Sequence, residues 1–329
     1  MRYKSLPIIF VLMCLLGSVS AVSAEAMKIG TGHDPAIYAD KIVWSDNGSI
    51  HLYNQSSGIE IKIRSLNATH PAIYGERLVW YKEEGSRHSL VVYDMLSGDQ
   101  SCVRCDVDRF STPAIYGNKI VWSANYNETN LSRNVYLRDV STSKQKWIAL
   151  GDDPGIYGFN MTYAYYDEDK GHSIALYNIT TGEAIRVPYF GDLGSPHIGS
   201  EVVVWSDTYT RMGSLAMYDF ATREATLITS DSDYSGDPEN PDCGCDTGFS
   251  SAAWEDRIVY IKITDDCHGI PGIYVFNTST SENTLVSRTE EGVFAKVGVY
   301  GDIVVWGISD SYSKKTENYS IYVYDLSAE

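Results

Sequence analysis

The residues with the richest chemistry sit in one acidic stretch, TSDSDYSGDPENPDCGCDTGFS, running from Thr229 to Ser250. Asp231, Asp233, Ser235, Asp237, Glu239 and Asp242 fall at positions 1, 3, 5, 7, 9 and 12 of a loop, with Gly236 at position 6. Hard oxygen ligands at alternate positions, with glycine at the sharp turn, are what a Ca2+ ion requires. Two features depart from that pattern. Position 12 is Asp, shorter than the Glu that chelates with both oxygens, and no helical periodicity flanks the loop. A solvated acidic loop is the competing reading of the same residues.

Cysteines supply the second chemistry. Cys243 and Cys245 follow the acidic run, and Cys267 stands in the next long connection. A bond from one of that pair to Cys267 would pin the excursion in an exported chain. Cys102 and Cys105 are separated by two residues, which admits a local disulfide or half of a metal site. After the N-terminal leader five cysteines remain, an odd number, so one thiol stays free or pairs outside the chain. Catalytic signatures are missing: there is no G-x-S-x-G, no H-E-x-x-H and no phosphate-cradling glycine loop.

The elements that must carry these residues are written in a repeat. PAIYADKIVW at Pro35–Trp44 returns as PAIYGERLVW at Pro71 and PAIYGNKIVW at Pro113, then decays through copies at Pro154, Pro196, Ser251 and Val297. The starts are 36, 42, 41, 42, 55 and 46 residues apart. A second phrase, SIHLYNQSSG at Ser49 and SLVVYDMLSG at Ser89, follows in each unit, and a short apolar run closes most of them. Alternation rich in Val, Ile, Tyr and Trp reads as strands, four to a unit. Strand-built units at this spacing predict an all-β, seven-bladed β-propeller. Six blades is the alternative if the weak unit at Ser251 is irregular. The last unit stops in the turn after its third strand, so residues 26–30 are expected to complete it and close the ring. Trp44, Trp80, Trp122, Tyr163, Trp205, Tyr260 and Trp306 hold one place in every unit, which predicts identical packing between blades.

Asn54, Asp94, Asp139, Asn178, Asp219, Asn277 and Asp325 close the third strands and suit turn formation by side-chain capping, with Gly58, Gly98 and Gly182 supplying positive φ. The proline that heads the early copies suits a strand start or an exposed edge. Strand order puts the short turns on one face and the variable connections on the other. The longest of these are 123–133, 229–250 and 307–319, and such variation on a rigid scaffold is where binding is expected. All five of these cysteines and six of the seven histidines, His33, His70, His88, His172, His197 and His268, map to that variable face. Nine Asn-x-Ser/Thr sequons occur, at Asn47, Asn54, Asn67, Asn127, Asn130, Asn160, Asn178, Asn277 and Asn318, which predicts a glycoprotein. Three of them double as turn-forming asparagines.

Units of the form Tyr-Gly-x-x-Ile-Val-Trp followed by Ile-Tyr-x-Tyr-Asp-Leu resemble TolB-like β-propeller repeats, in a variant similar to repeats of secreted and cell-surface proteins of methanogenic archaea. The resemblance spans essentially everything after the leader. It implies a binding and interaction platform, and carries no catalytic residue over.

Residues 1–24 read as a secretory signal peptide, with Arg2 and Lys4, an apolar run from Leu6 to Leu16 and a small-residue site at Val22-Ser23-Ala24. The expected mature chain, 25–329, is a single domain with 24 basic residues against 43 acidic ones, a net charge near −19. That balance disfavours nucleic acid and anionic membrane surfaces as partners. The sequence therefore points to an exported, non-enzymatic monomer that binds protein or glycan at the cell surface, without direct membrane insertion. It needs no cofactor beyond the candidate structural Ca2+. The rival expectations are a polysaccharide-acting or metal-assisted enzyme using the variable face, and a purely structural envelope component.

Overall fold

The structure is a computed structural model that describes residues 25–65, 67–85, 87–107, 110–127, 132–169, 171–188, 195–207, 214–229, 250–263, 271–289, 293–309 and 319–328. Seven antiparallel sheets of four strands make seven blades. They span 33–63, 68–107, 114–150, 152–186, 197–227, 251–288 and 293–325. The last is completed from the other end of the chain: Met27–Thr31 pairs with Tyr319–Asp325, setting Met27 opposite Val323 and Thr31 opposite Ser320. The ring thus closes through backbone hydrogen bonds and leaves no open edge at the seam. Among the described residues no helix is long and apolar enough to cross a membrane.

Each second strand is buried on both faces, which its unbroken apolar run requires. In blade one Ile42 and Trp44 pack against Val305 and Ile321 of blade seven, while Val43, pointing the other way, packs on Leu78 and Trp80 of blade two. The pattern recurs around the ring, giving seven apolar clusters, one at each blade interface. The five tryptophans at this position have no solvent exposure, and Tyr163 and Tyr260 are buried in the same place. The hairpins obey their sequence. Asn54 Oδ1 accepts from the Ser57 amide at 2.8 Å, and Asp219 Oδ1 from the amides of Ala221 and Thr222 at 2.8 Å. The next residue that must turn left-handed is Gly58, Gly98 or Gly182 in three blades, but Ser143, Arg223 and Ser281 in three others.

Two readings need correction. Pro113 and Pro196 stand immediately before their first strands, but Pro35, Pro71 and Pro154 do not head theirs. In blade one the strand begins two residues earlier, at His33, and the proline lies next to a bulge. The innermost strand has no further partner on its channel side, so a missing N–H costs nothing there. The connection 123–133 is not a long loop either: the strands Lys119–Asn127 and Ser132–Asp139 extend the hairpin through most of it.

The closure depends on a close approach. A Cβ on Gly30 would lie 2.5 Å from the ring of Trp44. Gly30→Val must therefore push a buried tryptophan or break the closing strand, and overpacking of this kind costs about 1–3 kcal/mol. Thermal unfolding of this variant is expected at a lower midpoint than wild type, with a larger loss than for Val at the open turn position Gly58.

Candidate functional site

The first strands of the seven blades form the inner wall of the ring. Their N-terminal ends lie on the variable face and their C-terminal ends on the short-turn face. The two ends of this channel are chemically different.

At the short-turn end the wall is aromatic. Tyr38, Tyr74, Tyr116, Tyr157, Trp254 and Tyr300 are the last residues of six first strands, and each ring touches the next. Centroids are 4.4 Å apart for Tyr38–Tyr74, 4.5 Å for Tyr74–Tyr116, 4.9 Å for Tyr116–Tyr157 and 5.4 Å for Tyr157–Trp254. Trp254–Tyr300 at 4.1 Å and Tyr300–Tyr38 at 4.9 Å complete the circuit. Blade five contributes Gly199, and the larger indole of blade six spans that gap to reach blade four. The ring centroids thus lie on a circle about 9 Å across, which the rings themselves narrow further. Burial raises the Tyr74 hydroxyl above the ordinary phenol range, helped by hydrogen bonds with Tyr116 and Tyr38. Tyr157 and Tyr300 are raised too, first by burial. Those three hydroxyls therefore keep their protons throughout the physiological range.

Up to about 13 Å away, four residues along each strand, the wall is polar. The residue preceding each ten-residue phrase is Asp34, His70, Thr112, Asp153, Ser195, Ser250 or Lys296. In blades one, two, four and seven it sits in a bulge where pairing with the second strand slips. Asp34, His70 and Asp153 adopt φ of +53°, +54° and +45° there. Bulges re-aim side chains, and four of them recur at this level of the inner wall. Neighbouring contacts hold them. Ser195 Oγ donates to Asp153 Oδ2 at 2.5 Å, and the Val297 amide donates to Ser250 Oγ at 3.0 Å. Asp152 is tied back by Arg133 and by Ser123 Oγ at 2.5 Å, which leaves its neighbour Asp153 as the inward acid.

The electrostatics show how close these groups are. Burial pushes His197 down to about 4, with the Lys296 charge adding to the fall and Asp153 opposing it. His70 is lowered mainly by burial; Asp34 opposes that shift, and Lys296 and His88 reinforce it. Lys296 itself is held below the ordinary lysine range by burial, against the pull of Asp34. One ammonium therefore acts on imidazoles of blades two and five. A side pocket of about 170 Å³ opens beside Asp34, lined also by His33, Ala295 and Tyr319, with the His33 and Tyr319 rings edge-to-face at 5.1 Å.

The residues singled out by sequence are only partly here. Asp231, Asp233, Ser235, Gly236, Asp237, Glu239, Asp242, Cys243, Cys245, Cys267 and His268 lie outside the described residues, as do 310–318. His197 lies in the first strand of blade five, His33 lines the side pocket, and His70 packs edge-on against Tyr81 and Phe110, with His88 on the same Phe110 ring. His172 packs edge-on to Tyr166 instead. Cys102 and Cys105 are not in a variable-face connection: they lie within the outermost strand Gln100–Val107 and are bonded to each other, so they are no half-site for a metal. Among the described residues no three of His, Cys, Asp or Glu are grouped to hold one metal ion. Asp34, Asp153 and Lys296 were missed. The available signal was their shared place before the repeated phrase.

No family model and no curated protein matches the chain. Solved structures do. The β-propeller domain of the trilobed protease from Pyrococcus furiosus, described as having an open velcro topology, matches with TM-score 0.64 at 10% identity over 91% of this chain and 94% of that one. Oligogalacturonate lyase in complex with manganese matches at TM-score 0.59 and 12% identity over 92% and 93%. Acylaminoacyl peptidase from Pyrococcus horikoshii matches at 0.63 and 11% over 90% of this chain, but only 51% of that longer protein is covered. TolB from Acinetobacter baumannii is also among the matches, at 12% identity and TM-score 0.48. What these likenesses share with the present chain is the β-propeller fold.

The depressed imidazole gives a pH prediction. His197 has a folded-state pKa below its unfolded value, so its contribution is complete above the ordinary histidine pKa of about 6.5 and is lost as pH falls toward 4. Between those limits the melting temperature of His197→Gln should fall less steeply with pH than that of the wild type, in parallel calorimetric scans.

Proposed function

We propose that this chain is an exported, non-enzymatic binding module of the cell surface, and that its ligand is a glycan entering the central channel from the variable face. The carrying observation is the asymmetry of the channel. A polar, charged mouth stands over a floor narrowed by six aromatic rings, so a ligand can go in at one end only. A concave site with a few convergent polar groups on a rigid wall is the usual form of a small-ligand site. The mouth suits a sugar or chain end better than a flat protein surface, because its groups point inward. Ring closure supports the same reading, since strands locked on both faces fix the wall of the mouth.

One observation favours the rival enzyme. Neutral imidazoles, two carboxylates and a lysine of lowered pKa share the channel, and such groups can move protons. A glycan panel separates the two readings. Binding should be retained when 230–249 is deleted and weakened at least tenfold by Asp34→Ala with Asp153→Ala, with no product released on long incubation. Accumulating cleavage products would establish the enzyme; binding lost only with 230–249 would move the site to that loop.

The Ca2+ site at Asp231–Asp242 is a separate proposal. Chelator is expected to lower the melting midpoint, and added Ca2+ to restore it. An unchanged midpoint would remove the ion from the account.

A further inference from the structure

Two of the sequons are brought together by the fold. Asn47 stands in the turn between the second and third strands of blade one, and Asn67 at the entry to blade two. The two segments are locked to each other. The Ala68 amide donates to the Gly48 carbonyl at 3.0 Å, and the Glu83 amide to the Asn67 carbonyl at 3.2 Å. A Cβ on Gly48 would lie 2.9 Å from the Asn67 nitrogen, so glycine alone allows this approach. Between them a cleft of about 250 Å³ opens on the variable face, lined by His33, Asp46, Asn47, Asn67, Thr69 and Glu83.

An asparagine is glycosylated through its side-chain nitrogen, so that atom must be reachable and uncommitted. Asn54, Asn178 and Asn277 are half-buried and give their amides to Asp40 at 2.8 Å, Asn160 at 3.2 Å and Asp256 at 3.2 Å. Asn160, the acceptor in the second of these, is half-buried as well. Asn47 is exposed, but its amide donates to Asp46 Oδ1 at 3.0 Å, and the hydroxyl of its sequon belongs to Ser49, which is buried. Asn67 is exposed, and the hydroxyl of its sequon belongs to Thr69, half-buried in the cleft wall.

We propose, on the reading of this chain as exported and independently of the channel, that Asn67 carries an N-linked glycan whose first sugar seats in the cleft between blades one and two. In the linking step Asn67 Nδ2 displaces a phosphate leaving group from the anomeric carbon of an activated glycosyl donor. A C–N bond forms, the C–O bond to phosphate breaks, and one amide proton leaves with the phosphate. The cleft is smaller than the roughly 300–1,000 Å³ of pockets for drug-sized ligands, which is the scale of a single sugar ring. Asp46 and Glu83 accept from hydroxyls, while Thr69 and the His33 imidazole both donate and accept. The same two carboxylates disfavour an acidic sugar at this position, so the first sugar is neutral. A ring tethered at the rim by a short linker stands at an effective concentration of about millimolar, so weak hydrogen bonds suffice to seat it.

The test uses the full chain secreted from a host that glycosylates Asn-x-Ser/Thr sites, with occupancy read by glycopeptide mass spectrometry. Asn67 is expected to be occupied in most molecules and Asn47 in few. Asn67→Gln and, with the asparagine kept, Thr69→Val should each remove the mass of one glycan, whereas Asn47→Gln should leave the glycan mass unchanged. Melting midpoints read the seat. Glu83→Gln should lower the midpoint of the glycosylated chain by a few degrees and by clearly less in the Asn67→Gln background, the non-additivity of groups in contact. Asp46→Asn is measured in the same two backgrounds, so that the outcome does not hang on one variant. Asn67 unoccupied in the secreted chain, or Asn47 occupied in its stead, overturns the assignment. Equal effects of both substitutions with and without the glycan overturn the seat in the cleft. A chain retained inside the host cell overturns the export reading, and the proposal with it.

Discussion

Face-to-face packing of the blades through their second strands is the constraint on which everything else rests. The Ile-Val-Trp core of that strand sends Ile and Trp to the preceding blade and Val to the following one. Both faces of every sheet are therefore committed. A tryptophan of this kind, fully buried at each of five interfaces, contributes about 3–5 kcal/mol against truncation. No blade can tilt without opening two clusters. Hence the innermost strands, which carry the channel, are held by packing that lies behind them and not by contacts across the channel itself.

That rigidity explains how the channel can hold costly features. Three non-glycine residues at its mouth take left-handed backbone conformations, each of which is disfavoured on its own. Such arrangements persist only where the surroundings over-determine them. The short-turn face adds a second restraint of the same periodic kind. The base opening the second strand reaches the turn of the next blade, as in Lys41 with Glu76 at 3.0 Å, Arg77 with Asn118 and Arg257 with Asp302. Exposed pairs like these contribute at most about 1 kcal/mol apiece. Their value is in register, because each fixes one blade against its neighbour at the end where the aromatic collar must meet.

The blades could be read from sequence because packing between them is the same problem solved seven times, and the same problem selects the same residues. Trp44 and Trp306 look alike for that reason. The channel mouth could not be read so directly. Each blade presents a different residue to one shared space, so Asp34, His70, Asp153 and Lys296 have nothing in common except position. Histidines drew attention to His70 and His197 by their chemistry, whereas an aspartate and a lysine pass for ordinary surface charge. The collar was hidden differently. Its tyrosines were conspicuous, but the Tyr-Gly step reads as turn chemistry, and only closure of the ring shows that Tyr38 and Tyr300 touch. The turn-forming asparagines carry two readings at once. Asn54 and Asn277 form sequons, yet each also gives its side-chain amide to a carboxylate, Asp40 at 2.8 Å and Asp256 at 3.2 Å, so hairpin chemistry accounts for them. Among the described residues, Asn47 and Asn67 are the exposed sequon asparagines.

The asymmetry between the channel's ends follows from the same geometry. On the short-turn face the first strand must reverse within two residues into the second, and the side chain just before that turn has only its six counterparts for company. Large rings there fill the axis and tolerate one glycine, because Trp254 spans the vacancy left by blade five. On the variable face the first strand arrives from a connection of any length, and a bulge can absorb the slack. Filling the axis is possible at the end where all blades are alike. Composing a site is possible at the end where they differ. A propeller built this way separates the part that must be uniform from the part that can be specific along one strand, only four residues apart.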